Sequence, residues 1–234
     1  MIKLRDLGNI ILDRASRLAL RVRLFLQQSC GLTHNYHPDP FNSKAADDPR
    51  DCLGRYRAAE SVLKPLNKPS VLDIGCHQGF FTFRFAERGG ICLGIDNDRA
   101  ELMVARARAE RHKARNVAFL ELTLDLGNID GLPTADIVVC MSVFHHWVRY
   151  YGKEGAFQML EVLAKKTNKA LVFDSGQPEE TSTNWAHLLT FMQPSGAEWI
   201  RQHLLNLGFA EVRDVGQFAT SLSPVPRNLF VAMR

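Results

Sequence analysis

The run from Val71 to Thr82, V-L-D-I-G-C-H-Q-G-F-F-T, constrains this chain most. An apolar-rich tetrad leads into Gly75, a second glycine stands at 79, and an apolar, helix-like pattern follows. That order reads as a buried parallel strand, a tight turn and a helix start. Gly75 lets backbone approach a ligand with no Cβ in the way, and Gly79 lets the new helix pack close to the strand. About 20 residues later a second apolar strand, 91–95, ends on Asp96, whose carboxylate can accept hydrogen bonds from a ribose diol. His77 stands where a dinucleotide fingerprint has the glycine that lets backbone touch a pyrophosphate. The expected ligand is therefore a nucleoside without a pyrophosphate.

Alternation continues through the chain. Strands are expected at 70–75, 91–95, 117–122, 135–141, 170–174, 209–216 and 228–233. Helices are expected at 51–64, 78–88, 99–112 behind an Asp98 cap, 153–165, and 195–207 ending at Gly208. Residues 176–194 read as a long insertion. The pattern predicts an α/β fold with a mostly parallel sheet, helices on both faces and a final antiparallel hairpin. At 234 residues the chain fits one domain, taken as 51–234, with an N-terminal extension. No run of about 18 apolar residues marks a spanning helix. The five cysteines are odd in number and form no C-x-x-C, which fits buried, reduced thiols in a cytoplasmic protein. The eight histidines show no metal-ligand spacing, and no metal is expected.

The net charge of +4 has a location. Residues 1–28 carry six basic side chains against Asp6 and Asp13, so the rest of the chain is neutral. Leu4, Leu7, Ile11, Ala15, Leu18, Val22 and Phe25 recur there at helical spacing. An amphipathic helix of this kind suits either an anionic membrane surface or packing on protein. Residues 29–50, with Pro38, Pro40 and Pro49, read as a linker or lid loop that can bring His34, Tyr36 or His37 towards a ligand.

With Asp73, Gly75, Gly79 and Asp96 in place, the chain resembles the class I S-adenosylmethionine (SAM) methyltransferases, whose first motif reads D-x-G-x-x-x-G. The resemblance implies a Rossmann-like seven-stranded sheet with one antiparallel last strand, and SAM as cofactor. It implies a cofactor site of Asp73, Gly75, Cys76, His77, Gly79 and Phe80, then Asp96 and Asn97, with Leu124 as adenine wall and Met141 near the methyl group. A narrower resemblance is to the bacterial O-antigen chain-terminating methyltransferase–kinases. Its matching pieces are Arg50-Asp51-Cys52 with Arg55, residues 71–82, G-I-D at 94–96, S-V-F-H-H at 142–146 and L-S-P-V-P-R at 222–227. Members of that family methylate a phosphate at the end of a lipid-linked polysaccharide. Their kinase domain and coiled-coil tail have no counterpart in these 234 residues, so another enzyme must supply the phosphate, or the acceptor differs.

The segment Phe144 to Tyr151, F-H-H-W-V-R-Y-Y, is the most polar and aromatic stretch at the expected catalytic edge. It also resembles, over a short stretch with Gly152-Lys153-Glu154, the enzymes that methylate an RNA 5′-phosphate. Two acceptor chemistries stay open. A phosphomonoester, with a second pKa near 6, is already anionic at neutral pH and needs binding and alignment. His145, His146, Arg55, Arg149 and Arg227 would supply the positive charge. A hydroxyl needs a base, and His145 or His146 is the candidate. The reading is an O-methyltransferase acting on a cell-envelope glycan or phosphorylated small molecule, cytoplasmic or peripheral at the inner face of the membrane. An RNA or nucleotide phosphate methyltransferase is disfavoured by the neutral catalytic region. A non-catalytic SAM-binding protein is the alternative of another class.

Overall fold

The computed structural model describes residues 37–41, 48 and 50–234. The expected helix over 1–28, most of the 29–50 linker, His34, Tyr36 and Cys30 lie outside the described residues. The order of elements is α1 (Cys52–Leu63), β1 (Val71–Ile74), α2 (Phe80–Ala86), β2 (Cys92–Asp96), α3 (Arg99–Arg111) and β3 (Val117–Glu121). Then come β4 (Ala135–Met141), α4 (Phe144–Lys166), β5 (Thr167–Asp174), α5 (Gly196–Asn206), β6 (Glu211–Phe218) and β7 (Arg227–Met233).

The strands form one seven-stranded sheet in the order β3-β2-β1-β4-β5-β7-β6. β7 runs antiparallel to both of its neighbours, while β1 to β5 pair parallel. Strand alternation divides the core. Leu72, Ile74, Val138, Cys140, Leu171 and Phe173 face one layer, with α4 and α5. Val71, Ile137, Val139, Ala170 and Val172 face the other, with α1 and α2. The period of two along each strand produces this division, and central strands covered on both faces read as continuous apolar runs. Each fully buried Phe85, Phe144, Phe173 or Phe230 contributes about 1.5–3 kcal/mol of apolar transfer.

Local sequence sets the helix ends. The Asp98 carboxylate accepts from the backbone N–H groups of Ala100 and Glu101, at 2.8 and 3.1 Å, and starts α3. Asp51 caps α1 by accepting from Gly54 N at 3.0 Å. One element differs from the sequence expectation. The helix expected at 153–165 begins at Phe144 and is interrupted at Gly152, whose φ of 72° and ψ of 175° lie outside the helical region. Phe144, Trp147 and Val148 are buried and Tyr151 is half-buried, so the aromatic segment is itself a short helix packed on the sheet.

The chain runs from β1 outward to β3, then returns to β4 on the other side of β1. This reversal opens a crevice at the carboxyl ends of β1 and β4, where open α/β sheets bind ligands. Among the described residues, no helix is long and apolar enough to cross a membrane.

Candidate active site

A cavity of about 380 Å³ lies at that crevice, within the size range of small-molecule sites. Its first half is made by the β1 and β2 tips. Gly75 has φ +70°, and a Cβ there would come within 2.6 Å of the Val143 side chain, so this turn takes glycine. Gly75 N and Cys76 N both donate to Ile95 O, at 2.8 and 3.0 Å, which ties the turn to β2. Asp96 is oriented by two backbone bonds, His77 N to Oδ2 and Asp98 N to Oδ1, each 2.8 Å. Each carboxylate oxygen keeps a further lone pair for a diol. Asp73 is buried at the end of β1, its Oδ2 accepting from Thr82 Oγ1 at 2.6 Å. Burial pushes its carboxyl up to about 7, against that hydroxyl bond. A cationic ligand group beside it would favour its ionised form. Leu122, Leu124, Ile95 and Phe81 supply apolar wall. Tyr151 Oη donates to Leu124 O at 3.0 Å and so fixes the loop after β3 to α4.

The second half is made by the β4 and β5 tips. Ser142, at φ +60°, sits in the sparsely populated left-handed region, as does His77 at φ +51°. The Asp174 carboxylate at the end of β5 accepts from Ser142 N at 2.7 Å and Ser142 Oγ at 3.0 Å through Oδ1, and from Arg55 Nη1 through Oδ2. Arg55 also donates to Arg50 O and Ala219 O, at 2.9 and 3.0 Å. Ser142 Oγ accepts from Arg50 Nη2 at 2.8 Å and Arg227 Nη1 at 3.0 Å. Arg227 closes a bidentate pair with Glu180, both bonds 2.7 Å. All six side chains are buried. Burial would raise the Asp174 pKa, but Arg55, Arg227, Arg50 and the Ser142 bond outweigh it and hold the group below its ordinary range. Burial lowers Arg50 to about 10, so it stays protonated at neutral pH.

The cavity brings together Asp73, Gly75, His77, Asp96, Asn97, Leu124, Met141, His146 and Arg55 from the sequence-expected site. Six other residues are placed off its wall, each for a physical reason. Cys76 is buried beside Gly94, where a Cβ would meet its sulfur at 2.8 Å. Gly79 allows close packing, since a Cβ there would lie 2.7 Å from the Phe119 ring. Phe80 points into the core, and its neighbour Phe81 faces the cavity instead. His145 is buried, its Nδ1 accepting from Gly176 N at 3.0 Å while its ring packs 4.7 Å from Trp185. Burial, then Arg227, His146 and Arg50, hold it well below the ordinary histidine range, so it is neutral. Arg149 is exposed, its guanidinium 5.7 Å from the Tyr150 ring centre. Arg227 is committed to Glu180 and Ser142.

His146 lines the cavity half-buried, and burial, Arg227 and Arg149 lower its pKa. His37, from the linker, also lines the cavity, with its ring centre 5.2 Å from that of His77. Four further residues belong to the site without having been singled out for it: Arg50, Ser142, Asp174 and Phe81. Arg50, Phe81 and Ser142 had a signal in the sequence, as parts of the narrower resemblance; Asp174 had none.

Comparisons with known proteins bear on the fold and the domain. A family profile described as a methyltransferase domain matches residues 72–171. The O-antigen chain terminator bifunctional methyltransferase/kinase WbdD of Escherichia coli is 30% identical over 196 residues, covering 79% of this chain and 25% of its own length. The chain thus spans about a quarter of the curated relative it matches. A 2.2 Å crystal structure of WbdD superposes with a TM-score of 0.64 at 29% identity, covering 80% of this chain and 41% of that one. The magnesium protoporphyrin IX methyltransferase of Synechocystis PCC 6803, solved with bound SAM, shares the fold at a TM-score of 0.56 and 20% identity, over 91% of this chain and 95% of that one. The residues present suit a nucleoside with an amino-acid tail: an oriented carboxylate for a diol, a glycine turn and an acidic floor. Residues 72–171 thus carry a methyltransferase domain, set in the fold of the class I, SAM-dependent methyltransferases.

Proposed function

We propose that the protein is an O-methyltransferase whose acceptor is an anionic phosphate oxygen on a cell-envelope glycan. The observation that carries this reading is the pair of buried guanidinium groups, Arg50 and Arg55, on the cavity wall, held there by Ser142 and Asp174 at the β4 and β5 tips. A buried arginine cation on a cavity wall suits phosphate, which it can bind through two parallel hydrogen bonds. Bound SAM supplies an electrophilic methyl group on a sulfonium. Asp96 and Asn97 hold the ribose in this reading, Leu124 the adenine, and Asp73 with the Gly75 turn the amino-acid end. Met141 lies towards the transferred methyl. Arg50 and Arg55 orient the acceptor and neutralise its charge, and burial of the site excludes water that would weaken both. The glycan class rests on the printed name of WbdD, an O-antigen chain terminator. Membrane contact rests on the basic helix expected over 1–28, which lies outside the described residues.

One observation favours a second reading, a hydroxyl acceptor. His146 lines the cavity with its pKa lowered by burial, so at neutral pH its imidazole is uncharged and one ring nitrogen is able to accept a proton. An assay with isotopically labelled SAM separates the two. A phosphorylated lipid-linked oligosaccharide should gain label, and the same glycan after phosphatase treatment should not. Label on the dephosphorylated glycan, abolished in His146→Ala, would establish the hydroxyl reading instead. Label on a 5′-phosphorylated RNA oligonucleotide and on neither glycan would move the acceptor class to nucleic acid.

A further inference from the structure

Arg227 lies one bond away from a residue that touches the cavity. Its Nε and Nη2 are both taken by Glu180, and only Nη1 turns towards the site, to Ser142 Oγ at 3.0 Å. Ser142 Oγ is saturated by the bonds around it. It donates its one proton to Asp174 Oδ1 at 3.0 Å and accepts from Arg227 and from Arg50, the latter at 2.8 Å. A hydroxyl has one donor and two acceptor sites, so this serine has nothing left for a substrate. Two guanidinium groups here pair with two carboxylates on the β5 side, Arg55 with Asp174 and Arg227 with Glu180, and Arg50 joins them through Ser142. Glu180 belongs to the insertion after β5, is fully buried, and also accepts from Gln177 N at 2.8 Å.

We infer that Glu180 and Arg227 form a positioning pair, in which Glu180 holds Arg227 off Asp174, so that Ser142 stays locked and fixes Arg50 on the cavity wall. The insertion over 176–194, which carries Glu180, thereby sets acceptor affinity without touching the acceptor. The part concerning acceptor affinity rests on the proposed phosphate reading; the part concerning Arg50 order does not. The physical reason is competition. Without the Glu180 charge, Arg227 is a buried cation that shares the Ser142 hydroxyl with the Asp174 carboxylate, which already serves Arg55 and Ser142. Its turn towards Asp174 would displace the Ser142 hydroxyl and remove that hydroxyl's bond to Arg50.

The test uses the full chain with Glu180→Gln, Arg227→Met, the double variant and Ser142→Ala. Side-chain 15N NMR reads the Arg50 guanidinium directly, with its signal assigned by Arg50→Lys. Protected Arg50 Nη signals are expected in the unmodified protein and their loss in Glu180→Gln. An Arg50 spectrum unchanged by Glu180→Gln would overturn the inference whatever the acceptor is. Titration with inorganic phosphate reads the consequence: Glu180→Gln is expected to weaken binding about tenfold, with S-adenosylhomocysteine affinity changed less than about twofold. The double variant should be no weaker for phosphate than either single variant, because both act through the same serine. If Arg227 bound phosphate itself, Glu180→Gln would free it and tighten binding, and that result would also overturn the inference. Should Glu180→Gln fail to fold, the double variant, which removes the competing guanidinium along with the carboxylate, is expected to keep the Arg50 signals protected and Ser142→Ala to lose them; the opposite result in either would overturn the inference. Absence of phosphate binding in the unmodified protein would sink the phosphate reading alone, with the Arg50 spectrum still deciding the positioning pair.

Discussion

The two halves of the cavity are built on opposite principles. The β1–β2 half is local: a turn of five residues, one carboxylate some twenty residues on, and backbone N–H groups that orient it. The β4–β5 half is assembled from residues 50, 55, 142, 174, 180 and 227, all charged or hydroxylic and all buried. The first half costs little to build, because backbone supplies its polar groups. The second concentrates charge in low dielectric and stands only while every partner is present. The comparison teaches where tolerance should lie. Damage to the cofactor half should show in binding, and damage to the acceptor half should show first in stability.

The largest expected effect follows from this. Arg55→Met leaves the Asp174 carboxylate buried without the guanidinium that it pairs with, a loss of about 3–5 kcal/mol. Thermal denaturation should fall by about 10 °C or more, and a fall of only a degree or two would show that the acceptor half is not held by charge pairing. Next comes Asp96→Ala, expected to weaken S-adenosylhomocysteine binding about 10- to 100-fold by calorimetry, the scale of hydrogen bonds to a charged group. Unchanged affinity would move the ribose elsewhere.

A smaller effect is expected in pH dependence. His145 faces Arg227, His146 and Arg50, and its folded pKa lies well below the ordinary 6.5. Below 6.5 the unfolded chain takes up a proton that the folded chain refuses, so this stability is present above 6.5 and lost as pH falls towards the folded value. Melting curves between pH 7 and 5 should therefore slope less steeply in His145→Gln than in the unmodified protein. His37 and His146, shifted in the same direction, should keep part of the slope. The smallest effect is expected for Arg149→Ala. The residue is exposed and off the cavity wall, so turnover should change by less than about twofold, as at ordinary surface sites. A tenfold loss would extend the acceptor site over the rim of α4.

The strand positions and the β1 turn were legible because their signals are short in range. An apolar-rich tetrad before a glycine, a capping Asp98 and the apolar run 137–141 in β4 each announce themselves within a few positions. The aromatic segment carried a helical signal too, since Phe144, Trp147, Val148 and Tyr151 are spaced as one face of a helix. Its polar residues and the glycine at 152 hid that spacing. The role of Arg227 was not legible at all. Its partner lies 47 positions earlier in an insertion with no periodic pattern, and nothing near either residue marks the pair. For the same reason Phe80 and Phe81 could not be told apart in sequence. Which of two adjacent rings faces the ligand depends on how α2 is rotated against the sheet.

The central claim is that a single cavity takes the cofactor on the β1–β2 side and the acceptor on the β4–β5 side. A crystal structure with S-adenosylhomocysteine and inorganic phosphate both present tests it most directly. The expected result is the ribose diol on Asp96, with phosphate within hydrogen-bond reach of Arg50 or Arg55. Adenosine bound away from Asp96, or phosphate seated on the β1–β2 turn, would contradict it.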